Sequence, residues 1–459
     1  YDVIKTHPPV RKIYADQLVA QGIMPADEPD RMLEAAKDRL TEAHEDIKHQ
    51  EGPPTGELQL DRTQSEEPDT SYPLEELLAL NREVFSAPEG FNVHRKLAPQ
   101  RDKRAQIGAD DPVDWGEAEA LAFATLLVQG HPLRLTGQDT ARGTFSQRHL
   151  VLHDVKTGDA YAPVQHLEAA KASFEIHNSP LSEAGALGFE YGYGVQAPET
   201  LVMWEAQFGD FVNAAQVAVD QFIVSGLAKW GETSRLTLLL PHGYEGAGPE
   251  HSSAREERFL TLAAEGNIRV ANVSTPGQYF HLLRRQALVE KIRPLIVFTP
   301  KSLLRNQRSF STLRELAEGS LQRVIDDPTA EGRRDRVTRL LLCAGRIYYD
   351  ITGHERYAGN EQVAVARVEL LYPFPRQEIV DLISSYPNLT EIIWVQEEPK
   401  QMGARRFMFT RNRERELVPE GVKLDYIGRE YRASPGEGYP AAHSIEQNRI
   451  VTEALTTST

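Results

Sequence analysis

The chain has 459 residues, 40% hydrophobic and 26% charged, the balance of a folded globular protein long enough for two or three domains. Its formal net charge of −16 opposes a nucleic-acid surface, which needs clustered Lys and Arg, so no nucleic-acid partner is expected. No apolar run is expected to reach the roughly 20 residues of a membrane-spanning helix, no signal pattern opens the chain, and the single cysteine, Cys343, excludes an internal disulfide.

Residues 1–9 contain no Met and read as if entered in mid-sequence, which points to a fragment or a processed chain. From Pro9 onward, Val10, Ile13, Leu18, Met32, Leu33 and Leu40 recur at helical spacing among many charges and predict a helical lead-in. Between 51 and 72 the composition shifts to Gly, Pro, Thr, Ser and acidic residues, as in a surface linker. Asp114 and Glu117 then form a D-x-x-E capping signature ahead of Trp115, Ala118, Leu121, Ala122 and Thr125, with Gly130 as the stop.

Short apolar runs follow at 133–136, 201–204, 236–240, 268–273 and 295–298, alternating with helical patterns. Strands separated by helices imply crossover connections and a largely parallel sheet. A second series, at 340–343, 363–368 and 392–395, comes after the polar stretch 330–336. Two α/β domains joined through 300–335 are predicted, and Cys343 lies in an apolar run as a core thiol.

Four stretches carry chemistry. LLPHGYEGAGPEHSSAR, 239–255, follows a predicted strand and precedes a helix, the place where parallel sheets bind ligands. Its glycines permit close backbone approach, and His242 and His251 can move protons near neutral pH. The same text fits a tight turn with surface histidines ahead of a helix capped by Ser252 or Ser253. The two histidines lack i, i+4 spacing and a third ligand, so no metal site is predicted in the chain.

In SPLSEAGALGFEYGY, 179–193, Glu183 opens a stretch of small and apolar residues. It is either a match to the helix dipole or a working acid. WEAQFGDF, 204–211, places Phe208 and Phe211 after a strand, either as core or as a wall for a planar ring. In LTGQDTARGTFSQRH, 135–149, Arg142, Arg148 and His149 either hold anionic groups or belong to a solvated loop.

In this order the blocks GQDTARGTFSQRH, LSEAGALGFEYGY, WEAQFGDF, LPHGYEGAGPEHSSAR and STPGQYFHLLRRQAL resemble the thiamine-diphosphate-dependent decarboxylating component of 2-oxoglutarate dehydrogenase. PLIVFTPKSLLR, GRIYYD, ELLYPFP, WVQEEP and YIGREYRASPGEGY continue the likeness, and HPPVRKIYADQL resembles the passage after that family's diphosphate-binding domain. The resemblance spans nearly the whole chain and is weakest over 51–109. It implies an α/β fold with a helical segment at 1–50, a linker and helical connection at 51–110, a transketolase-like pyrimidine-binding domain at 111–308 and a transketolase-type C-terminal α/β domain at 309–459.

The resemblance further implies thiamine diphosphate as cofactor, with Mg2+ ligands upstream, because the family's G-D-G motif for diphosphate and metal does not occur here. Glu183 would bond the aminopyrimidine N1′, Phe208 would stack on the ring with Gln207 beside it, and His242 would face the reacting carbon. His251, Gln138 and Arg142 become candidates for a substrate or lipoyl pocket, and Lys301, Arg305 and Arg346 for a regulatory nucleotide or acyl-coenzyme A. The implied reaction is decarboxylation of 2-oxoglutarate and succinyl transfer to the lipoyl group of the dihydrolipoyl succinyltransferase component, by a homodimer of the tricarboxylic acid cycle. A bacterial cytoplasm or a mitochondrial matrix, without membrane insertion, is expected. The alternatives are a 2-oxoadipate decarboxylating component and a non-catalytic dimerisation and regulatory scaffold.

Overall fold

A computed structural model of the chain describes residues 1–49, 66–414 and 417–456. It separates into two units, Tyr1–Asp61 and Arg62–Thr459. In the first, the expected lead-in is helical at Asp2–Thr6, Val10–Ala20 and Glu28–His49. No described residue of this unit is buried, and Val10 and Leu40 are 81% and 73% exposed, so the apolar spacing marks helices without a core of their own. Most of the expected linker, 51–65, lies outside the described residues.

The second unit is built on strands β1 (Leu133–Gly137), β2 (Phe174–Asn178), β3 (Leu201–Glu205), β4 (Thr237–Pro241), β5 (Arg269–Ala271) and β6 (Leu295–Thr299). They are followed by β7 (Val324–Ile325), β8 (Arg339–Cys343), β9 (Val363–Val368), β10 (Leu370–Tyr372), β11 (Glu391–Pro399) and β12 (Lys423–Arg429). One seven-stranded sheet has the order β10-β5-β6-β4-β3-β1-β2, and a five-stranded sheet has the order β7-β9-β8-β11-β12. Neighbours are parallel except at one edge of each, where β10 runs against β5 and β7 against β9. β10 follows β9 almost directly in the chain yet joins the other sheet, so the carboxy-terminal region supplies an edge strand to the sheet that precedes it.

Every residue of β4 and β8 is buried, and Cys343 lies at zero exposure with burial pushing its thiol up to about 12. Strands covered on both faces read as unbroken apolar runs, which is why they were legible. The edge strand β2, FEIHN, was not, since its charged and polar residues break the run.

Two local expectations change. The helix after the second histidine begins at Glu256, not behind a serine cap: Arg255 precedes it at φ 58°, and Ser253 Oγ instead accepts the Arg255 N–H at 3.1 Å. A membrane-length apolar stretch also exists by length and composition, 22 residues at Gly209–Trp230. A search for uninterrupted apolar residues misses it because Asp210, Asp220 and Lys229 fall inside, and it is broken into 3-10, α and π turns.

The helix Trp115–Gln129 starts as expected, with Asp114 accepting the Glu117 N–H at 3.0 Å, and Gly130 closes it at φ 93°. Glu117 does not reciprocate: its carboxyl is buried with one oxygen unpartnered, and burial raises its pKa to about 8. Asp114 is also held by Arg104 at 2.7 Å. Asp114→Ala removes both the cap and the Arg104 pair and is therefore expected to lose about 2 kcal/mol or more in urea unfolding, at or above the top of the range for a lost N-cap alone. A loss below about 0.5 kcal/mol would show that the cap does not govern this helix.

Candidate active site

In a parallel sheet, ligands collect outside the carboxyl ends of the strands. β6, β4, β3, β1 and β2 are consecutive neighbours. Lys301 follows β6, His242 follows β4, Gln207 and Phe208 follow β3, Gln138 follows β1, and Glu183 heads the helix after β2. The order of strands thus brings segments far apart in the chain to one edge.

Glu183 is the first residue of the helix Glu183–Gln196, capped by Ser182, whose Oγ accepts the Gly185 N–H at 3.3 Å. Gln138 Nε2 donates to one carboxylate oxygen at 2.9 Å. Among the described residues the other oxygen has no partner, and the side chain is half-buried. Glu183 therefore satisfies the dipole reading and still retains an acceptor for a ligand.

Phe208 is half-buried and not a core residue. Phe145 meets it edge-on at 5.4 Å, Phe211 at 6.3 Å and His251 at 4.4 Å, so three rings set its orientation. Gly209 is required beside it: a Cβ there would lie 2.4 Å from that of Ala254 and 2.7 Å from the Pro241 carbonyl oxygen. This close approach brings the loop after β3 against the loop after β4. Gln207 is half-buried next to Phe208 in the chain.

His242 is buried with both ring nitrogens engaged. Nδ1 accepts the Ala254 N–H at 3.1 Å, which places the hydrogen on Nε2, and Nε2 meets Glu398 at the end of β11 at 2.6 Å. Burial pulls His242 down, and the Glu398 hydrogen bond and charge push it up. Taking a second proton would displace the Ala254 amide. Burial pushes Glu398 up, yet the His242 bond and charge hold it below the usual carboxylate range. Glu256 completes a buried trio whose ligand atoms all lie within 4.8 Å of one another. The trio has metal-ligand types, but neither histidine nitrogen has a lone pair to spare, so the set does not fit a cation.

Two of the basic residues named from the sequence, Lys301 and Arg346, serve the loop between β4 and Glu256. Lys301 Nζ donates to the Gly243 and His251 carbonyls. Arg346 donates to the Tyr244 carbonyl at 3.0 Å and to Glu397 at 2.6 Å, and pairs with Asp350. Arg305 is exposed and donates to the Phe145 carbonyl at 3.0 Å, while Arg142 is exposed and pairs with Asp139. Arg148 holds anionic groups, but they are the protein's own: Glu119 on one side and Glu205 at 2.7 Å on the other, all buried.

Sequence reasoning missed Glu119, Glu205, Glu256 and Glu398. A signal existed for the first two, because a carboxylate inside a buried apolar helix or strand requires a partner. Arg148→Met would strand both carboxylates and is expected to destabilise the chain by about 3–5 kcal/mol in chemical denaturation; a variant within about 1 kcal/mol of the parent would remove the cluster from the structural account.

Burial, then the charge of Glu398, raises Glu256 to about 8, and its Oε1 has no hydrogen-bond partner. Its folded pKa therefore lies above the ordinary glutamate value of 4.5, so its contribution is full below 4.5 and is lost as pH rises through about 8. Glu256→Gln keeps the neutral shape, and its melting temperature should fall less steeply between pH 5 and 8.5 than that of the parent. Parallel profiles would mean that Glu256 is not held protonated.

Residues 111–307 match the transketolase pyrimidine-binding domain, and residues 310–455 match the 2-oxoglutarate dehydrogenase C-terminal domain. Over 99% of its length the chain is 50% identical to the 2-oxoglutarate dehydrogenase E1 component of Bacillus licheniformis and 50% to that of Geobacillus kaustophilus, covering 49% of each. It is 48% identical to the E1 component of Bacillus subtilis, again over 99% of the chain and 49% of the relative. The chain spans about half the length of the curated relatives it matches. It belongs to the family of 2-oxoglutarate dehydrogenase E1 components, and carries that family's pyrimidine-binding and C-terminal regions.

Proposed function

We propose that the chain forms part of an enzyme that decarboxylates 2-oxoglutarate with thiamine diphosphate and passes the succinyl group to the lipoyl group of a dihydrolipoyl succinyltransferase component. The observation that carries this reading is the pairing of Glu183, a helix-opening carboxylate with an unused oxygen, with the oriented face of Phe208 at the same sheet edge. An aminopyrimidine needs those two things, an anionic acceptor at N1′ and a flat apolar wall. The residues present fit that end of the cofactor. The G-D-G motif for diphosphate and Mg2+ is not in this sequence, so those groups would be held by residues outside it.

When bound, thiamine diphosphate supplies the electron sink for loss of carbon dioxide. The work of this chain's residues is then positional and protonic. Glu183 accepts the N1′ hydrogen bond and holds a proton at that nitrogen, and Gln138 keeps the carboxylate aimed. Phe208 presents the ring face, with Gln207 beside it. His242, with both nitrogens occupied, acts by holding its loop, whereas the half-exposed His251 at the edge of Phe208 is the imidazole open to substrate. Arg142 is the exposed basic residue of the loop after β1, available to an approaching acidic group.

A homodimer is supported by the surface around Glu183. Leu181 is 84% exposed and Phe189 61% exposed, and both flank the small residues of that helix, while Val217 is 73% exposed. Such apolar exposure beside a site suits coverage by a second subunit. A bacterial cytoplasm or mitochondrial matrix is the proposed location.

The test is 2-oxoglutarate decarboxylation by the complete protein with thiamine diphosphate, Mg2+ and an artificial electron acceptor. The parent should turn over and Glu183→Ala should lose at least about a hundredfold in rate, the scale for removing a proton-transfer group. An inactive parent overturns the reaction assignment. An active parent indifferent to the substitution overturns the placement of the pyrimidine at Glu183.

A further inference from the structure

A cavity of about 390 Å3 lies between the start of the helix Pro276–Leu288, the segment 308–325 and the five-stranded sheet, with Arg308, Tyr348 and Arg367 in its lining. It shares no lining residue with the pocket around His242 and does not depend on the proposed reaction.

Arg367, on β9, is only 8% exposed. Its Nη1 donates to Ser274 Oγ at 2.9 Å, its guanidinium lies 4.3 Å above the Tyr348 ring, and its Nε is buried without a hydrogen-bond partner. Arg308 is exposed, donating to the Tyr349 carbonyl at 2.9 Å and to Thr352 Oγ1 at 3.0 Å. Every hydrogen-bond acceptor that these two cations reach among the described residues is thus neutral. Elsewhere in the fold, Arg134, Arg148, Arg339, Arg346 and Arg429 each meet a carboxylate, and the buried Arg101 and Arg284 are satisfied by neutral acceptors, whereas Arg367 keeps a buried Nε without a partner.

The nearby acidic groups are Glu369, joined to Arg367 through the shared Ser274 hydroxyl, and Glu315, which lines the cavity. Glu369 binds the Ser274 backbone N–H at 2.7 Å and the Ser274 hydroxyl, and Glu315 accepts the Thr312 N–H at 2.8 Å. The helix end is occupied as well, since the Gly277 N–H goes to Ser311 Oγ and the Gln278 N–H to Thr275 Oγ1, so it adds only its dipole. Buried polar groups are almost always paired, and a cation with an unfilled donor beside a cavity suits an anionic ligand. A cavity of this size is within the range that holds small metabolites.

We propose that this cavity binds a small oxyanion, the phosphate or carboxylate group of a metabolite, through Arg308 and Arg367. The test is isothermal titration of the full-length protein with inorganic phosphate and, separately, with succinate, at ionic strength matched by chloride. At least one should bind saturably, and the one that does names the group. Arg308→Gln, at an exposed position, should weaken that binding about tenfold or more, the scale of a lost charge-assisted hydrogen bond. Arg367→Lys, which keeps the charge but loses the planar guanidinium fork, should weaken it as well. No binding of either anion, or binding unchanged in both variants, overturns the proposal.

Discussion

The buried guanidinium of Arg148 is the constraint on which the site depends. It meets Glu119 from the helix Trp115–Gln129 and Glu205 from the end of β3, while Thr140 donates to Glu205 at 3.0 Å. Tyr279, from the helix Pro276–Leu288, donates to Glu119 at 2.8 Å. Two helices, a strand end and the loop after β1 are thereby joined through one cation. Charges taken out of water are tolerated only in good geometry with every remaining hydrogen bond made, so this cluster admits little displacement. Phe208 stands three residues beyond Glu205 and Phe145 three before Arg148, and the edge-on contact between those rings inherits the cluster's precision.

A second set of charges governs the loop that carries His242 and His251. Glu398 holds the first imidazole, Arg346 the Tyr244 carbonyl, and Lys301 the backbone on both sides of the glycines. Arg429 lies 5.0 Å from the Tyr244 ring and is itself paired with Glu437. The region matched to the 2-oxoglutarate dehydrogenase C-terminal domain is thus part of the site's support, since Glu398 and Arg346 both belong to it. Arg308 and Arg367 differ from these cations in lining an open cavity, with the Arg367 Nε left without a hydrogen-bond partner.

Much of the architecture was legible because its signals are local. Asp114 and Gly130 bound a helix by capping and left-handed geometry, each within a few residues. The unbroken apolar runs of β4 and β8 announced strands buried on both faces, and their alternation with helices announced a parallel sheet. β12, with polar residues through most of its length, and the three-residue β10 gave no comparable periodicity. Glu183 and Phe208 stood out by position, as a carboxylate and an aromatic ring at the ends of predicted elements.

Element type, element order and the glycine-rich loop followed from the sequence alone, because each depends on residues adjacent in the chain. Partnership did not. Arg148 and Glu205 are separated by 57 residues, His242 and Glu398 by 156, and Glu119 and Tyr279 by 160. Hydrophobic periodicity reports which face of an element is buried but not which charge on another element it will meet. Whether His242 is a free acid–base group or a held one, and whether Arg148 serves a ligand or the protein, was decided only when the sheet brought those distant residues together.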